Sequence, residues 1–244
     1  MEIVINVIIF LVSAVACYLI SALIHELGHV VCGVINKWKL FRLVVGPIKL
    51  YRDDLDSKLK IGIEKNIIMW CGAGGTLPRT KSEKNIKTWA KILLAGPLTS
   101  IIFGILMIPL VFLTHSIFAL MLCLMPISMG MMCIIPMKMK TGLLYNDGTR
   151  YKRINSSGQE AEEEIALFRL IEISVFENDK VIYPQELVEP LLNSKDFSLL
   201  YLGYYYSYQN ALKTNAPEMA DAQRKQMELI KNKVPKAIID DCPV

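Results

Sequence analysis

Three long stretches of the chain are apolar. The first runs from Ile3 to Ile35 and holds histidine and charged residues only in one short ionisable motif, and the other two, residues 92–113 and 116–135, carry no charged residue. Apolar runs of this length are typical of transmembrane helices, so the pattern predicts three membrane spans. A helix over 3–35 would be roughly 50 Å long at ~1.5 Å per residue, against a hydrocarbon core of ~30 Å. One end of it must therefore project from the bilayer or line a protein cavity.

The connection between the first two spans, residues 36–91, has a different pattern. Residues 39–45, 48–51 and 59–63 have the composition of short strands, and a glycine cluster follows at 71–75. Strand edges need partners near a membrane, so we expect a small sheet that packs on the helices or dips into the bilayer. The glycines predict either a turn or a place where a substrate backbone approaches closely, with Gly74 and Gly75 as candidate substrate-binding residues.

From about residue 155 the pattern becomes amphipathic and helical. A Ser157-x-x-Glu160 capping box predicts a helix that runs to about Phe176, and further helices are expected at about 184–193, 196–212 and 216–233. Residues 154–244 hold 15 acidic and 9 basic residues. We therefore predict two parts: a membrane-embedded core over 1–154 and a cytoplasmic helical domain over 155–244.

Composition and charge agree with a membrane protein and give it an orientation. The chain is 53% hydrophobic, with a mean hydropathy of +0.37. The connection 36–91 holds 13 Lys and Arg against 5 Asp and Glu, and more basic residues follow the third span. The positive-inside rule makes both regions cytoplasmic and puts the N-terminus outside. We expect the first segment to be retained rather than cleaved as a signal peptide, because it has no basic start. The six cysteines form no CxxC pair and predict free thiols.

The ionisable motif in the first span is His25-Glu26-Leu27-Gly28-His29. Residues four apart share a helix face, so His25 and His29 can bind one metal ion, and Glu26 is placed to take a proton from metal-bound water. Three ionisable groups in a membrane helix are costly unless they are paired or bound to a metal. The pattern therefore indicates a zinc hydrolase that acts at or within a membrane.

A catalytic zinc ion needs a third protein ligand. His115, the one other histidine, falls in the outer hairpin and is expected to be a loop residue. Asp147 follows the third span on the same side as the motif, but Asn-Asp-Gly is also a common turn, so both interpretations stay open. Four glutamates further along, at 160, 162, 163 and 164, are available as well.

Three motifs together resemble the site-2 protease family of intramembrane zinc metalloproteases: the His25–His29 motif in the first span, Ala95-Gly96-Pro97 in the second, and Asp147-Gly148 after the third. The resemblance covers roughly residues 1–155. It implies zinc ligands at His25, His29 and Asp147, and Glu26 as the base. Ser100 stands where members of the family often have Asn, and no space is left for a PDZ domain between the second and third spans.

These observations predict an α-helical membrane protein: a three-helix catalytic core, a small membrane-associated sheet and a cytoplasmic helical domain. The expected activity is hydrolysis of peptide bonds in membrane-spanning proteins, leader-peptide remnants or peptide precursors, with Zn²⁺ as cofactor. The expected partners are that substrate and the lipid bilayer, with no nucleic acid; a protein partner at the C-terminal domain and a homo-oligomer remain open. Two alternatives stand beside it, a membrane zinc peptidase with a downstream glutamate ligand and a non-catalytic scaffold.

Overall fold

The computed structural model describes residues 1–137, 145–177 and 181–242. The described residues are mostly helical, with one small antiparallel sheet. The helices are α1 (Glu2–Ile35), α2 (Lys84–Leu106), α3 (Ile108–Thr114), α4 (Ile117–Ile134), α5 (Asp147–Ile154), α6 (Gln159–Phe176), α7 (Gln185–Leu192), α8 (Phe197–Lys213), α9 (Pro217–Ile230) and α10 (Lys236–Asp241). The strands are β1 (Lys39–Val45), β2 (Ile48–Tyr51), β3 (Lys60–Ile63) and β4 (Ala73–Leu77).

Three helical segments are long and apolar enough to cross a membrane, at 2–35, 84–114 and 117–134. This confirms three candidate spans. The second starts earlier than its apolar run, because the chain already turns into a helix at Lys84, whose amide donates to the Ser82 hydroxyl. It also has a break at Met107, after which α3 completes the segment.

The four strands form a sheet in the order β3-β2-β1-β4, and all neighbours are antiparallel. This confirms the predicted sheet. The glycine segment is a strand rather than a turn: β4 pairs with β1, with Leu43 opposite Gly74. β4 is an edge strand and packs against α1, where the Thr76 side chain lies over Gly33.

The chain divides into two compact units. The first comprises residues 1–79 and 87–135, and in it α1 packs against α4, β1 and β4. Its first twelve residues expose their side chains, whereas the C-terminal half of α1 is buried in a stripe that includes Cys17, Ser21, His25 and His29. This is the spacing of four expected for the interior face of a membrane bundle.

The second unit comprises residues 80–86 and the described part of 136–244. Helices α5 to α9 pack in sequence order around a hydrophobic core that includes Leu170, Leu191, Leu199, Tyr201 and Met227. The predicted capping box is wrong in detail. The N-cap position of α6 is held by Gly158 and not by Ser157, so no side chain caps the helix. Gly158 has φ +82°, a backbone conformation that glycine tolerates better than serine.

Candidate metal centre

His25 and His29 lie one turn apart on the buried face of α1. Their Nε2 atoms are 3.3 Å apart. Two nitrogens that each lie about 2.0–2.1 Å from a tetrahedral zinc ion are about 3.3–3.4 Å from each other. The spacing of the two rings therefore fits a shared metal ion.

The other nitrogen of each ring has a partner on α2. His29 Nδ1 lies 2.7 Å from the carbonyl oxygen of Ile92, and His25 Nδ1 lies 3.1 Å from the Ser100 hydroxyl. A carbonyl oxygen can only accept, so Nδ1 of His29 carries a proton, and in the neutral form of the ring Nε2 is the atom that can bind a metal ion. Hydrogen bonds of this kind fix the tautomer and the orientation of a metal-binding histidine. In the sequence, Ser100 stands out as a departure from the family pattern and as a small residue four positions from Gly96 and from Gly104; the structure makes it the partner of His25.

Glycines allow α1 and α2 to approach closely enough for this arrangement. A Cβ atom on Gly28 would lie 2.8 Å from the Cα of Gly96, and one on Gly96 would lie 2.3 Å from Nε2 of His29. Both distances are too short for a real Cβ contact. The small residues spaced by four on α2 have two different neighbours: Gly96 and Ser100 face the histidines, and Gly104 packs against Ile127 of α4.

Glu26 is buried, with 8% of its surface exposed, and its carboxylate lies over two glycines of the sheet region. A Cβ atom on Gly72 would lie 2.7 Å from Oε1, and one on Gly74 would lie 2.6 Å from Oε2. Gly72 also has φ +115°, a backbone conformation that other residues rarely adopt. The glycine segment therefore gives the Glu26 side chain its space, which sequence reasoning had not foreseen.

Gly75, Asp147 and His115 were also considered from the sequence, the first two as site residues and His115 as a loop residue. Gly75 has open space where a side chain would be, so nothing within 4 Å of it demands a glycine. Asp147 belongs to the second unit, where it is the first residue of α5 and is partly buried. The side chain of Asn146 caps this helix by accepting from the Thr149 amide. His115 ends α3 in the short loop before α4, as expected.

Cys133 is a candidate metal ligand that the sequence did not reveal. It lies near the end of α4, with its Sγ within 4.8 Å of a ring nitrogen of His25. The absence of any CxxC pair had argued against cysteine ligands. Only the packing of α4 on α1 brings this thiol near the motif, and spacing along the chain carries no signal of it.

A separate cavity of about 360 Å³ lies in the second unit. Tyr145, Arg153, Glu163 and Asp196 are among the residues that line it, whereas His25, Glu26, His29 and Asp147 are not. Arg153 and Glu163, which line it with opposite charges, form an ion pair at 2.6 Å.

The site thus combines two histidines spaced for a metal ion with a buried carboxylate beside them, which is the arrangement of a metallopeptidase. Comparison with known families agrees: the family model described as peptidase family M50 matches residues 13–238, nearly the whole chain. The chain belongs to this family, the site-2 protease family, whose members are membrane metalloproteases. Comparisons with curated proteins and with solved structures gave no match.

Proposed function

We propose that the chain is a zinc-dependent intramembrane protease, with His25, His29 and Asp147 as the metal ligands and Glu26 as the general base. The observation that carries this proposal is the 3.3 Å separation of the two Nε2 atoms, on a helix apolar enough to span a membrane, next to a buried glutamate. Two imidazoles and a carboxylate are a ligand set that suits zinc.

His25, His29 and Asp147 would hold a zinc ion, which would supply polarisation of a carbonyl group and a lowered pKa of bound water. Glu26 would accept a proton from that water and return it to the leaving amine. Because Gly72 and Gly74 have no side chains, they leave room for the carboxylate at this position. Ser100 and the Ile92 carbonyl hold the two imidazoles in orientation through their Nδ1 atoms.

Two residues are candidates for the third ligand, and Asp147 is the one we propose. Asp147 is supported by the family resemblance and by its place at the start of a capped helix. Cys133 is a second candidate because its sulfur lies close to His25. Of the four downstream glutamates, Glu163 and Glu164 already pair with arginines, which argues against the rival peptidase with a glutamate ligand.

The substrate we propose is a membrane-spanning or membrane-associated peptide that enters as an extended strand. β4 is an edge strand, and Gly74 within it touches Glu26, so a strand added to this edge would lie beside the base. Gly74 and Gly75 remain the proposed substrate-binding residues. The basic region 36–91 supports a cytoplasmic active site and C-terminal domain, with the N-terminus outside.

Proline substitutions at the two edges of the sheet test strand addition. Gly75→Pro alters the β4 edge, where its side chain would meet open space, and Ile61→Pro alters the β3 edge, where Ile61 is 78% exposed. We expect only Gly75→Pro to reduce cleavage. Val44 is unsuitable for this purpose, because it is fully buried in β1, an inner strand. Equal cleavage by both variants would exclude substrate pairing at β4.

The function itself is tested with Glu26→Gln in the full chain, purified in detergent. We expect about one zinc ion per chain in this variant, as in the wild type, and no cleavage of single-span reporter proteins. The amide cannot act as a base, but the imidazole ligands are unchanged. A variant that keeps full cleavage would refute the role of Glu26, and a biological function that persists without any cleavage would favour the scaffold alternative.

A further inference from the structure

The short helix that carries Asp147 depends on the rest of the second unit. α5 has eight residues, too few for an isolated helix to be stable in water. At its start, Asn146 Oδ1 accepts from the Thr149 amide at 3.0 Å and from the Thr149 hydroxyl at 2.6 Å. This cap fixes the local backbone at Asp147, but it does not fix where the helix lies.

Two arginines on α5 attach it to α6. Arg150 Nε donates to Glu164 Oε1 at 2.7 Å, and Arg153 Nε donates to Glu164 Oε2 at 3.1 Å. Arg153 Nη2 also donates to Glu163 Oε2 at 2.6 Å. The Glu164 side chain is only 1% exposed, and both of its carboxylate oxygens accept hydrogen bonds from arginines of α5. Burial alone would lower the pKa of the Arg153 guanidinium, but the two carboxylates keep its pKa above the usual range.

A third contact attaches Tyr145, which lies two residues before the start of α5, to the residue that caps α8. The Tyr145 hydroxyl donates to Asp196 Oδ2 at 2.9 Å, and the Tyr145 ring lies 4.5 Å from the guanidinium carbon of Arg153. Asp196 itself caps α8 by accepting from the Ser198 amide. Helix α5 is therefore held at its beginning through Tyr145 and towards its end through Glu164.

We propose that Glu164 is a positioning residue for the metal centre: through Arg150 and Arg153 it holds α5, and thereby Asp147, in the place needed for metal binding. This inference rests on the proposed function, which makes Asp147 a ligand. It gives the C-terminal helical unit a role beyond stability, because the affinity for the metal then depends on the packing of α5 on α6.

A matched control lies on the same helix. Glu172 of α6 is 2% exposed and accepts from Arg169 Nη1 and from Asn85 Nδ2, both at 2.6 Å, but none of these partners lies on α5. Glu172→Gln and Glu164→Gln thus remove the same charge at equal burial in one unit. Zinc affinity is measured for the full-length variants in detergent by competition with a chromophoric chelator, beside thermal unfolding.

We expect Glu164→Gln to weaken zinc binding about tenfold, the lower end of the effect of removing an outer contact at a metal site. Glu172→Gln should bind zinc as the wild type does, although both variants unfold at lower temperature. Asp147→Ala should weaken binding more than either. Cobalt loaded into Glu164→Gln should also show an altered visible spectrum, since ligand geometry and not stability sets that spectrum.

Three outcomes would overturn the inference. If Glu164→Gln binds zinc like the wild type while Asp147→Ala does not, α5 needs no such attachment. If Glu164→Gln and Glu172→Gln weaken binding equally, the effect is general loss of stability. If Asp147→Ala leaves binding unchanged, the proposed ligand set itself fails. Should Glu164→Gln not fold, Tyr145→Phe removes only the bond to Asp196, and it should weaken zinc binding severalfold; unchanged affinity there would also refute the inference.

Discussion

Replacing Gly96 by alanine should disable the metal centre through one methyl group. The added Cβ would lie 2.3 Å from His29 Nε2, 2.5 Å from Cε1 and 2.7 Å from Cδ2, so the imidazole ring stands directly over this position. Ordinary van der Waals contact begins at 3.4 Å. The ring or the helix must therefore move by about 1.1 Å, and the atom that moves most is the proposed ligand atom.

A displacement of this size is large for a metal site, where ligand distances hold within about 0.2 Å. A misplacement of about 1 Å at a reacting centre costs roughly a hundredfold in rate. The substitution should also cost about 1–3 kcal/mol of stability by overpacking, set against about 1 kcal/mol gained from replacing a helical glycine. We therefore expect strongly reduced zinc affinity and cleavage in a protein that still folds.

Gly104→Ala is the matched control. It changes the same residue type on the same helix, and its Cβ would lie 2.5 Å from the Ile127 side chain and 2.6 Å from the Cys123 carbonyl oxygen, away from the histidines. Both variants are titrated with zinc and followed by thermal unfolding. We expect similar losses of stability but a loss of zinc affinity only in Gly96→Ala. Equal zinc affinity in the two variants would refute the placement of His29 over Gly96.

Three further results are expected. Ser100→Ala removes the partner of His25 Nδ1 and should weaken zinc binding about tenfold by titration; undiminished affinity would mean that the hydrogen bond does not orient the ring. Arg153→Met leaves two buried carboxylates without their shared cation and should destabilise the second unit by about 3–5 kcal/mol in denaturant unfolding, and a loss below about 1 kcal/mol would contradict this. The Asn66 amide and the guanidinium of Arg42 hold the pKa of Glu64 below the ordinary pKa of a glutamate. The ionised Glu64 side chain should therefore stabilise the sheet fully at a pH above the ordinary pKa, and this stabilisation should be lost as the pH falls through the lowered pKa. Hydrogen exchange in β3 measures this effect, and a pH dependence that persists in Glu64→Gln would assign it to another group.

Exposed ion pairs supply the comparison for the Arg153 result. Arg224 and Asp221 of α9 pair at 2.8 Å on the surface, where such a contact contributes about 0–1 kcal/mol. Arg224→Met should therefore change stability little under the same conditions. A loss as large as that of Arg153→Met would show that arginine replacement in this unit is harmful for reasons other than burial.

The elements of this protein follow closely from local patterns. The strand composition at 39–45 and 48–51 matches β1 and β2 residue for residue, because both segments are short and consist mostly of aliphatic and aromatic residues. The three apolar runs became three candidate spans for a similar reason, since their length permits little else. The helix pattern after residue 155 also corresponds to α6 through α9.

The site was predictable only where its residues are close in sequence. His25, Glu26 and His29 meet because a helix places them together, and the motif shows this directly. The Ser100 contact with His25 spans 75 residues, and it depends on the closeness of α1 and α2 that Gly28 and Gly96 permit.

Other features depend on pairings that no local pattern encodes. The strand at 73–77 was not foreseen, because β4 exists through its pairing with β1 and glycine-rich segments have low strand propensity. Cys133 reaches His25 only through the packing of α4 on α1.

The most direct test of the account is the zinc content of the purified full chain with each histidine replaced in turn. We predict about one zinc ion per chain in the wild type and in His115→Ala, and almost none in His25→Ala or His29→Ala. His115 is the matched control, because it ends α3 in a loop and takes no part in the proposed site. Zinc retained at the wild-type level in both motif variants, or lost equally in all three, would contradict a metal centre on α1.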